Sequence, residues 1–110
     1  MSEGNLLADV EDALGQIEGL LPPEQQAWQQ DPVRQLSVER LWILAGNAAE
    51  LYRRSADLSG ALDPWSALYG FRNILAHQTP SERRPLRVWQ ESRSELSALL
   101  GDVRATRNQG

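Results

Sequence analysis

The sequence predicts an all-α fold: an antiparallel four-helix bundle with room for a short extra helix. Three observations carry that expectation. Apolar residues recur three and four positions apart over four long stretches, as one face of a helix requires. No stretch alternates apolar and polar residues in the manner of a half-buried strand. The prolines fall at the edges of these stretches, with Pro22-Pro23 closing one and Pro64 and Pro85 each opening another. A chain of 110 residues is expected to form a single domain over 1–110, long enough to bury about two-thirds of its unfolded surface.

The first helix is expected from about Asn5 to Leu21, on a stripe of Leu7, Val10, Leu14, Ile17 and Leu21. Residues 22–33 have no clear period and read as a connection or a short turn of helix, with Trp28 as its anchor. The second helix spans roughly Val33 to Ala56. Leu41, Leu44, Ala48 and Leu51 form one stripe, and Trp42, Ala45, Ala49 and Tyr52 widen it to a second face. So wide an apolar arc belongs to a helix that is central in a bundle or shared with another subunit. Gly46 within it costs up to about 1 kcal/mol relative to Ala, which close approach of a neighbouring helix would justify. Arg53, Arg54 and Asp57 end this helix, and Leu58 to Asp63 form a loop around Ser59-Gly60. Asp63 then caps a third helix with Pro64 at its first position. That helix carries Trp65, Leu68, Phe71 and Leu75; after a polar break over 78–84, Pro85 opens the fourth. The fourth stripe is Leu86, Trp89, Leu96, Leu100 and Val103, with Arg93 interrupting it either as a boundary residue or at the edge of a polar cleft. The tail over 105–110 is expected to fray.

Composition narrows the chemistry. With no cysteine there is neither a disulfide nor a thiolate metal site, and a single histidine cannot hold zinc unless carboxylates supply most ligands. Neither phosphate-cradling glycine motif occurs, nor G-x-S-x-G, so nucleotide-loop and serine-hydrolase chemistries lack their framework. The carboxylate pairs Glu39 with Glu50 and Glu91 with Glu95 read as solvated helix faces. The start, Met1 to Asn5, has no basic segment followed by an apolar run, and no stretch approaches the roughly 18 apolar residues of a membrane span. A cytoplasmic protein without cofactor, metal or membrane contact is therefore expected. Net charge is −4, yet residues 1–31 hold only acids, so the remainder is net basic. Overall acidity argues against nonspecific nucleic-acid binding. The local excess of Arg72, Arg83, Arg84, Arg87 and Arg93 argues the other way. All the basic residues are arginine, which suits bidentate phosphate contact better than lysine does.

One stretch stands out: Tyr69-Gly70-Phe71-Arg72-Asn73-Ile74-Leu75-Ala76-His77-Gln78-Thr79, which holds the lone histidine. On a helix, Asn73 and His77 share a face, while Arg72 and His77 lie about 140° apart. His77 can be read as a favourable cap at the helix C-terminus, where a cation meets the negative end of the dipole. A buried Arg-Asn start and a histidine at the helix end would cost stability if left unpaired, so something is expected to use them.

The R-N-x-x-x-H run resembles the signature of the HEPN superfamily, and in particular its HepT-like branch. The likeness extends to both sides and covers roughly residues 34–103. Arg40 to Ala49 is similar to that branch's R-x-L-x-x-x-G-E-A helix, with Asn47 where Glu is common. Pro64-Trp65 ahead of Tyr69 to Asn73 is similar to its P-W-x-x-I-x-G-x-R-N run, and Val88-Trp89 to its later V-W helix start.

That resemblance implies a metal-independent endoribonuclease of toxin–antitoxin type, acting as a homodimer on RNA. The chemistry is coherent, because RNA carries its own nucleophile in the 2′-hydroxyl. An imidazole changes charge between pH 5 and 8 and can move the proton. A guanidinium fork can hold the phosphate as negative charge develops. His77 and Arg72 take those roles, and Asn73 orients the histidine or donates to the phosphate. Arg83, Arg84 and Arg87 are the candidates for substrate binding. A twofold dimer would place two histidines and two arginines in one cleft. One departure stands out. The branch commonly has R-x-x-x-x-H-x-Y, whose Tyr a nucleotidyltransferase antitoxin modifies with AMP, whereas this chain has Thr79. Silencing by tyrosine modification at that site is therefore impossible here. A non-catalytic module binding nucleotide, RNA or a protein partner is the other reading of the same residues.

Overall fold

The computed structural model describes residues 2–56 and 63–109. Among them every regular element is helical: α1 (Glu3–Leu20), α2 (Gln25–Gln29), α3 (Pro32–Ser55), α4 (Pro64–Ala76) and α5 (Pro85–Gln109), with one 3-10 turn at Pro80–Glu82. The all-α expectation is met, and the unpatterned segment before α3 contains the short α2. Of the expected loop from Leu58 to Asp63, all but Asp63 lies outside the described residues, as does Asp57 before it.

Side-chain caps account for the boundaries. α1 begins earlier than the expected Asn5 because the Ser2 hydroxyl accepts the Asn5 amide at 3.3 Å. Asp31 takes the Arg34 amide at 3.0 Å and Asp63 the Ser66 amide at 2.7 Å, each followed by proline at the first helical position. Trp28 is the expected anchor. Fully buried, it donates its indole N–H to the Pro85 carbonyl at 2.7 Å, and its own carbonyl accepts from Gln35 Nε2 at 2.8 Å.

α3 is the central helix, packed along α1 on one side and α4 on the other, while α5 lies on α1 and α2. Its buried face is Val38, Trp42, Ala45, Ala48, Ala49 and Tyr52. The small residues on that face let both neighbours come close, most of all at Gly46. A Cβ at Gly46 would sit 2.8 Å from the Leu68 carbonyl oxygen and nearer still to Arg72 Cβ. Trp42 meets Phe71 edge to face with ring centres 5.3 Å apart, and Tyr52 meets Trp65 at 4.9 Å. Trp42 also ties α3 to α5 by donating to the buried Ser92 hydroxyl at 2.8 Å.

Four expectations are corrected. The stripe of Leu41, Leu44, Ala48 and Leu51 is only half core: Ala48 is buried and Leu41 packs against the core, whereas Leu44 is 42% and Leu51 48% exposed and with Val33 and Leu36 form an outward apolar ridge on α3. Glu39 and Glu50 are buried rather than solvated, which arginine partners make tolerable. The Glu50 carboxylate accepts from Arg53 Nη2 at 2.8 Å and Arg54 Nε at 3.0 Å. The Arg53 hydrogen bond leads in holding its carboxyl below the usual range, against the opposing effect of burial. In α5 the buried residues are Val88, Ser92, Leu96, Leu100 and Val103. Leu86 and Trp89 sit at the margin because the Trp89 indole turns back to the Pro22 carbonyl at 3.0 Å. Arg93 is a boundary residue, donating to the Pro23 carbonyl and lying 4.8 Å over the Trp89 ring. Lastly, the tail does not fray: α5 continues to Gln109, with Arg107 Nη1 reaching Glu11 on α1 at 2.8 Å and the Thr106 hydroxyl donating to the Asp102 carbonyl.

Two stability outcomes follow. Gly46→Ala is expected to cost about 1–3 kcal/mol by overpacking the α3–α4 contact. Gly101→Ala, whose Cβ would meet open space, is expected to gain about 0.5–1 kcal/mol; urea midpoints of the two variants give the comparison. Glu50 contributes stability that is fully present above the unfolded carboxylate pKa and is lost as pH falls through its lowered folded value. Glu50→Gln should therefore melt below wild type at pH 7, by about 1–3 kcal/mol. The gap should close in melts taken from pH 4 downward.

Candidate functional site

The expected catalytic residues lie on the last turns of α4. Arg72 is half-buried against α3, at the level where Gly46 admits the helix backbone. Its Nε donates to Asn47 Oδ1 at 2.7 Å and its Nη1 to Asn73 Oδ1 at 3.0 Å. The Tyr69 ring, one turn earlier, lies 6.0 Å from the guanidinium carbon. Both hydrogen-bond partners are neutral amides. Among the described residues no carboxylate pairs with Arg72, whereas Arg53, Arg54, Arg83 and Arg87 each have one. A half-buried cation held by neutral groups retains its full charge toward an incoming anion.

His77 is the C-cap of α4, its amide donating to the Asn73 carbonyl at 3.2 Å. Its place at the helix C-terminus is the expected one. The imidazole itself is exposed and has no hydrogen-bond partner among the described residues. Asn73 thus joins the two: its side chain takes Arg72 and its carbonyl takes the His77 amide. The side-chain oxygen of Asn73 orients the arginine rather than the histidine. No hydrogen bond links the imidazole to the guanidinium within one chain among the described residues.

The expected substrate-binding arginines separate. Arg83 Nε and Nη2 clasp the buried Glu39 carboxylate at 3.2 and 2.5 Å, an ion pair that offsets its charge. Arg87 is exposed but paired with Glu91 at 2.8 Å. Arg84 is exposed, with Nη1 donating to the Ser81 and Arg83 carbonyls, and has no carboxylate partner among the described residues. Thr79 opens the 3-10 turn. Its amide and hydroxyl both donate to Glu82 Oε1, at 3.0 and 2.8 Å, and these two bonds, the amide leading, hold the Glu82 carboxyl below its usual range. The Thr79 hydroxyl is surface-exposed and already engaged.

Three concave regions flank these residues, one of them lined by Ile74, Gln78, Arg84 and Arg87. A cavity of about 190 Å³ between α4 and α5 is floored by Trp42, Leu68 and Phe71 and takes in none of the motif side chains. A groove between α1 and α3 is lined by Leu6, Leu41, Leu44, Ala48 and Leu51, with Asp9 and Asp12 on its rim. Asn47 lines the same groove and accepts from Arg72, so the groove reaches the residue that holds the arginine. Asn47 is the site residue that sequence reasoning missed as such. Its one signal was its place after Gly46, at the position where the resembled branch carries Glu. No cluster of acids and histidine suited to a metal occurs among the described residues.

No family model matches the chain, and neither a curated protein nor a solved structure is detectably similar to it. Among the described residues no helix is long and apolar enough to cross a membrane.

Removing the paired arginine should cost more stability than removing the unpaired one. Arg83→Ala strands a buried Glu39 and is expected to lower the unfolding free energy by about 2–4 kcal/mol. Arg84→Ala is expected to change it by less than about 0.5 kcal/mol, both read from urea titrations at constant slope.

Proposed function

We propose that this chain is a metal-independent endoribonuclease of HEPN-like, four-helix type that works as a homodimer, with Arg72 as the phosphate clamp and His77 as the proton-transfer group. The observation that carries the proposal is that one helix end holds a half-buried, pre-positioned guanidinium with no carboxylate partner among the described residues and an exposed, unpartnered imidazole. Arg72 would take the non-bridging oxygens of a phosphodiester, and His77 would move the proton of the 2′-hydroxyl or of the leaving oxygen. Preorganisation favours this: the guanidinium is fixed before substrate arrives, so little ordering is left for the reaction.

The dimer completes the chemistry. One imidazole per chain supplies only one of the acid and base roles, and a second copy supplies the other. The outward ridge of Val33, Leu36, Leu44 and Leu51 is the apolar surface such a copy would cover. Antiparallel apposition of two α3 helices would bring Arg40 of one copy toward the Asp9 and Asp12 rim of the other. It would also draw both Arg72 sites toward the shared face, since Asn47 lines that groove. Four long helices, α1, α3, α4 and α5, are compatible with the HEPN-like bundle. A toxin of this kind would have a restraining partner, and a nucleotidyltransferase antitoxin is the one the resemblance suggests. With Thr79 in place of the branch's tyrosine, either that hydroxyl is the regulatory position instead or control runs by another route.

The second reading, a non-catalytic module that binds nucleotide, RNA or a partner protein, is favoured by one observation. Glu39 neutralises Arg83 and Glu91 pairs with Arg87, so the cationic surface around the site is smaller than the sequence implied.

Purified protein incubated with total RNA in EDTA is expected to cleave it. His77→Ala and Arg72→Ala should each lower the rate at least 100-fold while keeping the helical circular-dichroism signal. Full cleavage by either variant removes the proposal, and saturable binding without any cleavage selects the module. Leu44→Glu is expected to convert a dimer to monomer in light scattering and to abolish cleavage with it.

A further inference from the structure

We propose that the cavity between α4 and α5 is a binding site for a small arylalkyl amine in its ammonium form, its ring on the aromatic floor and its cation at Glu95 and Glu91. The inference goes beyond the ribonuclease reading and does not rest on it, since neither Arg72, Asn73 nor His77 lines this cavity.

The space comes from the fold. α4 packs on α3, and α5 on α1 and α2, which leaves a seam between α4 and α5. The cavity in that seam has a volume of about 190 Å³. An apolar cavity of about 150 Å³ accepts a benzene ring, so the space here takes a ring with a short tether. Trp42, Leu68 and Phe71 form the floor, and Ala67 and Leu99 extend the walls. Trp42 and Phe71 are held edge to face, and the Trp42 indole N–H is already given to Ser92. The floor side chains therefore offer apolar and aromatic surface and no free hydrogen-bond donor. A straight alkyl chain would leave part of this volume empty, whereas a ring fills it.

Charge sets the other half of the ligand. Both charged side chains that line the cavity are carboxylates, Glu91 and Glu95. They stand one turn apart on α5, a spacing at which like charges repel. Glu91 accepts from Arg87 at 2.8 Å with one oxygen, while Glu95 has no hydrogen-bond or ion-pair partner among the described residues. A primary ammonium carries three N–H donors and can serve both carboxylates at once. Its cation also gains from indole and phenyl rings nearby. An alcohol of the same shape brings no charge to this rim, and a carboxylic acid is repelled by it.

The probe is 2-phenylethylammonium, titrated into the isotope-labelled full chain and followed by proton–nitrogen correlation spectra. Saturable shifts centred on the amides of Ala67, Phe71, Glu95 and Leu99 are expected, with a Kd of about 0.1–1 mM. The uncharged analogue 2-phenylethanol should bind about tenfold more weakly. n-Butylammonium, which has the charge without the ring, should bind about fivefold more weakly. Glu95→Gln should weaken the ammonium about threefold and leave the alcohol unchanged, a split that damage to the fold would not produce. Ala67→Phe, at an exposed position of α4 on the cavity wall, should abolish binding of all three probes while keeping the melting transition. No saturable shift in wild type, equal affinity for ammonium and alcohol, or full ammonium affinity in Glu95→Gln overturns the proposal. Equal affinity for n-butylammonium overturns the assignment of a ring, and binding that survives in folded Ala67→Phe overturns the place. Should Ala67→Phe fail to fold, the Glu95→Gln comparison decides alone. No arm reads RNA cleavage, so failure here leaves the ribonuclease reading as it stands.

Discussion

The contact between α3 and α4 at Gly46 is the constraint on which the rest of the molecule depends. A helix pair normally keeps its axes 8–10 Å apart because side chains stand between the backbones. Here a residue without a side chain faces the Leu68 carbonyl and the Arg72 Cβ, and any added carbon collides with both. The aromatic pairs on either side, Trp42 with Phe71 and Tyr52 with Trp65, pack edge to face and hold the two helices in one register. With that register set, Asn47 falls opposite Arg72, and a hydrogen bond forms between them that neither helix could make alone. Fold and site share one joint.

The arginines divide according to what they meet. Arg53, Arg54 and Arg83 meet buried carboxylates and act as structural counter-ions. Arg104 and Arg107 reach Glu11 and bind the end of α5 to α1. Arg93 lies over an indole and holds the Pro23 carbonyl. Arg72 meets amides and an aromatic ring. Composition alone suggested a basic face, but Glu39 and Glu91 pair with two of its arginines, and only what each guanidinium meets separates a counter-ion from a cation without a carboxylate.

How much of this the sequence disclosed depends on the range of each interaction. Proline and aspartate at Asp31-Pro32 and Asp63-Pro64 mark helix starts through local hydrogen bonds, so α3 and α4 were legible to within a residue or two. Gly46 was legible as a close approach because a glycine inside a helix needs a reason. The fate of Glu39 was not, since its partner Arg83 lies far along the chain and no local pattern links them. The exposure of Leu44 and Leu51 was missed for a related reason. Periodicity says which residues share a face, but not whether another helix of the same chain covers it. For the site, Arg72, Asn73 and His77 came from one contiguous run, whereas Asn47, on another helix, needed the packing to be seen.

The tryptophans add a mechanical consequence. Trp28 in α2 gives its indole hydrogen to the Pro85 carbonyl, and Trp89 in α5 returns one to the Pro22 carbonyl. The segment between α1 and α3 and the first turns of α5 are thus stitched together twice, in opposite directions. A third stitch, Trp42 to Ser92, runs from the central helix to the same stretch of α5. Crossed ties of this kind cannot be undone singly without exposing a large ring. The front of α5 and the elbow after α1 should therefore come apart as one unit, and indole emission reports the state of the whole seam at once.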